Sequence, residues 1–104
     1  MITRMIIVTV PAEKAAEAER MWKDECAPLM IKQKGCVSEE FLRNREQKGE
    51  FISLQKWESQ QDIDNYRASP VHRDILKHTR GMIGVSKVDV KNYEVLDEED
   101  RKSK

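Results

Sequence analysis

"FISLQKWESQQDIDNYRASPVHRDILKHTR", residues 51–80, decides the fold. β-forming residues run from Glu50 to Trp57 and read as a strand. Ser59 then caps a short helix bearing Ile63 and Tyr66, and Ser69 with Pro70 restarts a second helix from Val71 to about Arg80. The stretch from Trp57 to Arg80 also holds both histidines of the chain, one of its two tryptophans and one of its two tyrosines. It is therefore either the wall of a ligand pocket or a packed helix.

Working outward, Cys36 to Arg45 supplies β-formers on the other side of "EQKG" and completes a hairpin with the strand ending at Trp57. Residues 2–10, rich in Ile, Val and Thr, form a first strand. Pro11 suits a helix N1 position, and Ala15, Ala18, Trp22, Cys26 and Leu29 recur on one stripe of the helix that follows. Pro28 removes a backbone donor, so the regular helix kinks or ends near Cys26, and Gly35 closes the element. Gly81 and Gly84 break the last helix. Val85 to Leu96 then alternates Val88, Val90 and Val95 with polar residues, a final strand.

The order β-α-β-β-α-β predicts an α+β, ferredoxin-like fold with both helices on one face of a four-stranded antiparallel sheet. Residues 1–96 make one domain, and residues 97–104 form a disordered tail without an apolar anchor. The uncovered sheet face needs a partner, and a homodimer packed sheet to sheet is the economical cover.

Lys plus Arg (19) equals Asp plus Glu (19), so no net field draws the chain to nucleic acid or an anionic membrane. The apolar run of the N-terminus is too short to span a bilayer and lacks a signal cleavage site, which places the protein in the cytoplasm. Cys26 and Cys36 are too few for a disulfide framework and read as small buried hydrophobes. No dinucleotide loop, flavin motif or metal-ligand spacing is present, so no cofactor is expected.

Three segments, "FISLQKWES", "DIDNYRASPVH" and "GCVSEEFLR", resemble the antibiotic biosynthesis monooxygenase domain of the dimeric α/β-barrel superfamily. The resemblance covers residues 1 to about 96 and implies a cavity between the helices and the concave sheet, walled largely by Trp57 to Arg80. Gln55 stands where many members carry Glu, and Tyr66 where many carry His.

On the second helix, Val71, Ile75, His78 and Met82 follow i, i+4, i+7, i+11 and so predict an inward stripe. His72 lies about 120 degrees around that helix from His78, which excludes a metal site built on the two histidines. The resemblance implies a cofactor-independent oxygenase acting on an electron-rich aromatic such as a quinol or polyphenol. In that reading His78 is the base, Tyr66 hydrogen-bonds the substrate oxygen, and Trp57, Ile75, Val71 and Met82 line the pocket. A non-catalytic dimeric ligand-binding module is the alternative from another class.

"YRASPVHRDILKHTR" also resembles the heme-degrading branch of the superfamily at its serine, its lysine-histidine pair and its final arginine. That branch has its axial histidine where this chain has Leu76, a tryptophan where it has Tyr66, and an asparagine near Ile6 and Ile7. Leucine cannot ligate iron, so heme degradation is the weaker enzyme reading.

Overall fold

The computed structural model describes residues 1–81 and 87–101, with the backbone alone at 80 and 81. Strands β1 (Ile2–Thr9), β2 (Cys36–Arg43), β3 (Glu50–Trp57) and β4 (Lys87–Glu94) form one sheet in the order β2-β3-β1-β4. Every pairing is antiparallel. With helices between β1 and β2 and between β3 and β4, this is the ferredoxin-like arrangement that the residue pattern predicts.

The hairpin turn closes on Gly49, whose φ of +98° suits glycine, and a Cβ there would stand 2.4 Å from the Val10 carbonyl oxygen. Along β3, Phe51, Ser53, Gln55 and Trp57 are buried on the helix side. Their partners on β1, Val8, Ile6, Arg4 and Ile2, share that side.

The first helical region follows β1 through a 3₁₀ turn at Ala12–Lys14, then α1 (Ala15–Met21), a π turn (Trp22–Cys26) and α2 (Ala27–Met30). Pro28 explains the irregularity, because its missing N–H cannot bond the Asp24 carbonyl, and the Ala27 N–H reaches back five residues to Trp22 O. Instead of ending at Cys26, the helix widens for one turn. Met21, Trp22, Cys26 and Met30 all face the core as a result.

Helices α3 (Gln60–Arg67) and α4 (Pro70–Gly81) cover the rest of the same sheet face. The Ser59 hydroxyl accepts from the Asp62 N–H at 3.1 Å, and the Ser69 hydroxyl accepts from the His72 N–H at 3.3 Å. Both caps fall where the sequence predicts them. β4 begins at Lys87, and the predicted start at Val85 lies outside the described residues. In the predicted tail, Glu98 forms an ion pair with Lys56.

On the sheet's opposite face the register brings together Thr3, Met5 and Ile7 of β1 with Ile52 and Leu54 of β3 and Leu42 of β2. Glu40, Lys56, Asp89 and Lys91 surround this apolar centre. No described helix is long and apolar enough to cross a membrane.

Candidate functional site

A cavity of about 270 Å³ lies between the sheet and the helices. Its sheet side is formed by Arg4, Ile6, Phe51 and Ser53, with Val88 and Val90 of the half-exposed strand β4 at its margin. Trp22 and Phe41 close one end, their rings stacked with centroids 5.5 Å apart, and Phe41 in turn stacks on Phe51 at 5.1 Å.

The helix side carries Tyr66, His72, Ile75, Leu76 and Thr79. Tyr66 and Ile75 thus stand where the sequence predicts, in the wall. His78 does not line the cavity. Its Nε2 lies 2.9 Å from Glu25 of the π turn, and its Nδ1 lies 2.8 Å from the Asp74 carbonyl oxygen. The histidine that does line the cavity is His72, whose ring meets Tyr66 edge-on at 5.0 Å. The inward stripe drawn through Val71, Ile75 and His78 is therefore displaced around the helix. Val71 packs on the core and His78 faces the first helical region, while the cavity takes the flank holding His72, Leu76 and Thr79.

Trp57, predicted to line the pocket, stands behind it instead. It is fully buried, its ring packs against Tyr66 at 5.4 Å, and its Nε1–H donates to Gln55 Oε1 at 3.0 Å. Met82 lies outside the described residues.

The sequence gives little sign of a buried polar chain along the helix-facing side of the sheet. Arg4 donates to Gln55 Oε1 at 3.5 Å, Gln55 Nε2 donates to Ser53 Oγ at 2.9 Å, and Ser53 Oγ stands 3.1 Å from both carboxylate oxygens of Glu39. Trp22 Nε1–H donates to Glu39 Oε2 at 2.8 Å. Arg4 is only 5% exposed, and among the described residues no carboxylate stands within ion-pair distance of it. Burial lowers its pKa.

Burial pushes the Glu39 carboxyl up to about 7, against the opposing effect of its bonds to Trp22 and Ser53. It also raises Tyr66 to about 12, which keeps the phenol a neutral donor. Cys26 is raised to about 12 and Cys36 to about 11, again mainly by burial, so both thiols stay protonated and inert. Among the described residues no cluster of His, Cys, Asp and Glu could hold a metal ion.

An antiparallel β-α-β-β-α-β sheet with an aromatic-lined cavity under its helices defines a ferredoxin-like α+β domain. The antibiotic biosynthesis monooxygenase model matches residues 1–78, and the chain belongs to that family. No curated protein sequence matches it. Among solved structures it is similar to SnoaB, a cofactor-independent oxygenase from Streptomyces nogalater (TM-score 0.77, 20% identity, covering 93% of this chain and 94% of that one). It is also similar to MhuD, a heme degrader from Mycobacterium tuberculosis (0.80, 16%, 96% and 100%). A third is Rv0793 of the same organism (0.72, 23%, 94% and 98%).

Proposed function

We propose that this protein is a cofactor-independent monooxygenase acting on a small quinol- or polyphenol-like aromatic. One observation carries the reading: an aromatic-walled cavity contains a buried guanidinium without a carboxylate partner among the described residues. Such a cation favours a ligand that becomes an anion, as a phenol does before it reacts with oxygen. In the reaction a hydroquinone and O₂ give a hydroxyquinone and water, with all four electrons coming from the substrate. The protein's tasks are to exclude water, hold the ring, take a proton and stabilise the oxyanion.

Arg4 supplies the stabilising charge from the sheet, and Tyr66 and His72 hydrogen-bond the substrate from the helices. His72, not His78, is the histidine in the cavity wall, so the histidine contact with the substrate passes to it as a hydrogen bond rather than as the base. Oxygen uptake with a panel of hydroquinones tests the proposal. His72→Ala should lower turnover at least 10-fold, by loss of a hydrogen bond to a reacting oxygen, and His78→Ala should change it by less than about 2-fold. A reversed ranking in folded variants would return the role to His78. A ligand that raises the melting temperature without consuming oxygen would favour the non-catalytic binding module.

The MhuD likeness makes heme the competing ligand, and the residues present do not fit it. Leu76 offers no ligand, and the His72 ring is set edge-on against Tyr66.

A homodimer belongs to the same proposal. The face built on Met5, Ile7, Ile52, Leu54 and Leu42 is an apolar patch ringed by charges, which a second copy packed sheet to sheet would cover. Light scattering at micromolar concentration should give twice the monomer mass, and a stable monomer would contradict the assembly. A cytoplasmic location accords with two cysteines kept as thiols.

A further inference from the structure

Glu39 does not itself line the cavity, yet it touches the cavity wall at two points. Ser53 and Trp22 both line the cavity, and both bond to the Glu39 carboxylate. On its other side Glu39 lines an open depression with Glu19, Lys23, Ala27, Arg43 and Arg45. The carboxylate therefore stands between the aromatic cavity and an outer surface, with a hydroxyl as its link to the cavity.

The geometry points to Glu39 as the terminal proton acceptor for a phenolic ligand in the cavity, reached through the Ser53 hydroxyl. The inference rests on the oxygenase reading for the identity of the ligand. Ser53 Oγ has two lone pairs, and Gln55 Nε2–H occupies one. The other is left for the ligand's O–H. As the phenol O–H bond breaks and its proton binds Ser53 Oγ, the Ser53 proton passes to Glu39, leaving a phenolate, an unchanged serine and a neutral carboxyl. No electron moves in this step.

Charge arithmetic favours Glu39 over His72 as acceptor. Protonating His72 would place another cation in a cavity already lined by Arg4 and Arg67, whereas protonating Glu39 removes a half-buried negative charge just as the phenolate appears. A carboxyl at about 7 is matched to that exchange near neutral pH. The other groups around it are Cys26 of the π turn, Cys36 and Glu40 of β2, Tyr66 of α3, and Lys23, Arg43, Arg45 and Glu19 at the depression. Both thiols stay neutral, Glu40 raises the Glu39 pKa further, and Arg43 is paired with Glu19 at 2.9 Å.

The test counts protons as 4-nitrophenolate binds, by calorimetry at about pH 8 in two buffers of different ionisation enthalpy, where both the probe and Glu39 are largely ionised. An anion bonded to Ser53 should force Glu39 to take up about one proton in the wild type, and Glu39→Gln should take up none. Ser53→Ala should fall between them. Glu39→Gln should melt no lower than the wild type, since it removes a half-buried charge that Trp22 and Ser53 only partly compensate.

Uptake that persists in Glu39→Gln, or that vanishes only in His72→Ala, would overturn the relay. So would failure of nitrophenolate to bind. Turnover provides the second readout. The hydroquinone kcat/KM should rise with pH through about 7 as Glu39 loses its proton, and Glu39→Gln should lose that limb together with about 100-fold in rate. Should hydroquinones never turn over, the oxygenase reading fails while the proton count still decides the relay.

Discussion

Replacing Arg4 by methionine should lower kcat for a hydroquinone about 100-fold while leaving the protein as stable as before, or more so. The two halves of this expectation have one cause. A guanidinium that is 5% exposed, with one bond of 3.5 Å to Gln55 and no carboxylate within ion-pair distance among the described residues, is costly to bury. Methionine fills much of the same space without that cost. What disappears is the charge facing a developing phenolate, and removing one such donor elsewhere costs about 100- to 1,000-fold in kcat. Oxygen-uptake kinetics paired with thermal melts separates the outcomes. A variant that melts well below the wild type would mean that the guanidinium serves the core rather than the ligand.

The largest effect on stability should come from Trp57→Ala, at about 3–5 kcal/mol. Trp57 is fully buried, stacks obliquely on Tyr66 and donates to the amide oxygen that also receives Arg4. Its removal empties a large core volume and takes from Gln55 its better donor. For a domain of this size that is a sizeable part of the whole folding free energy. Urea denaturation should show the loss in full for alanine, whereas Trp57→Phe, which keeps a ring and loses only the N–H, should cost about 1–3 kcal/mol. Equal losses would mean that the indole N–H, not the ring, holds this part of the core.

These expectations show where sequence patterns were sufficient. Strand β3, the serine caps at Ser59 and Ser69, and the closing Gly35 and Gly49 are set by local chemistry, so they could be read in order along the chain. The helix α4 stripe was harder, because the helix has two inward neighbours. Ile75 faces both, and only the fold distinguishes the flank against the first helical region, with Val71 and His78, from the flank against the cavity, with His72 and Thr79.

Glu39 was hidden for a different reason. Alternation from Cys36 would put Ser38 and Glu40 on the helix side, but a bulge between Cys36 and Ser38 shifts the phase and places Glu39, Phe41 and Arg43 there instead. Nothing in the side chains of "CVSEEFLR" announces that extra residue. Arg4, in turn, sits in a run of apolar β-formers where a long cation is ordinarily solvated.

The π turn at Trp22–Cys26 has a consequence for how chains of this kind can be matched residue by residue. A turn closed by bonds from i+5 contains one residue more than an α-helical turn, so it behaves as an insertion accommodated without a loop. Excising one residue between Lys23 and Glu25 would restore regular spacing and leave Trp22 and Cys26 on nearly the same face, because three steps of an α-helix sweep almost the same angle as four of the wider turn. A relative one residue shorter at this point can therefore share every other position with this chain, the donor that holds Glu39 included. An alignment without a gap inside the helix would set the residues on one side of the turn, Trp22 among them, against the wrong partners.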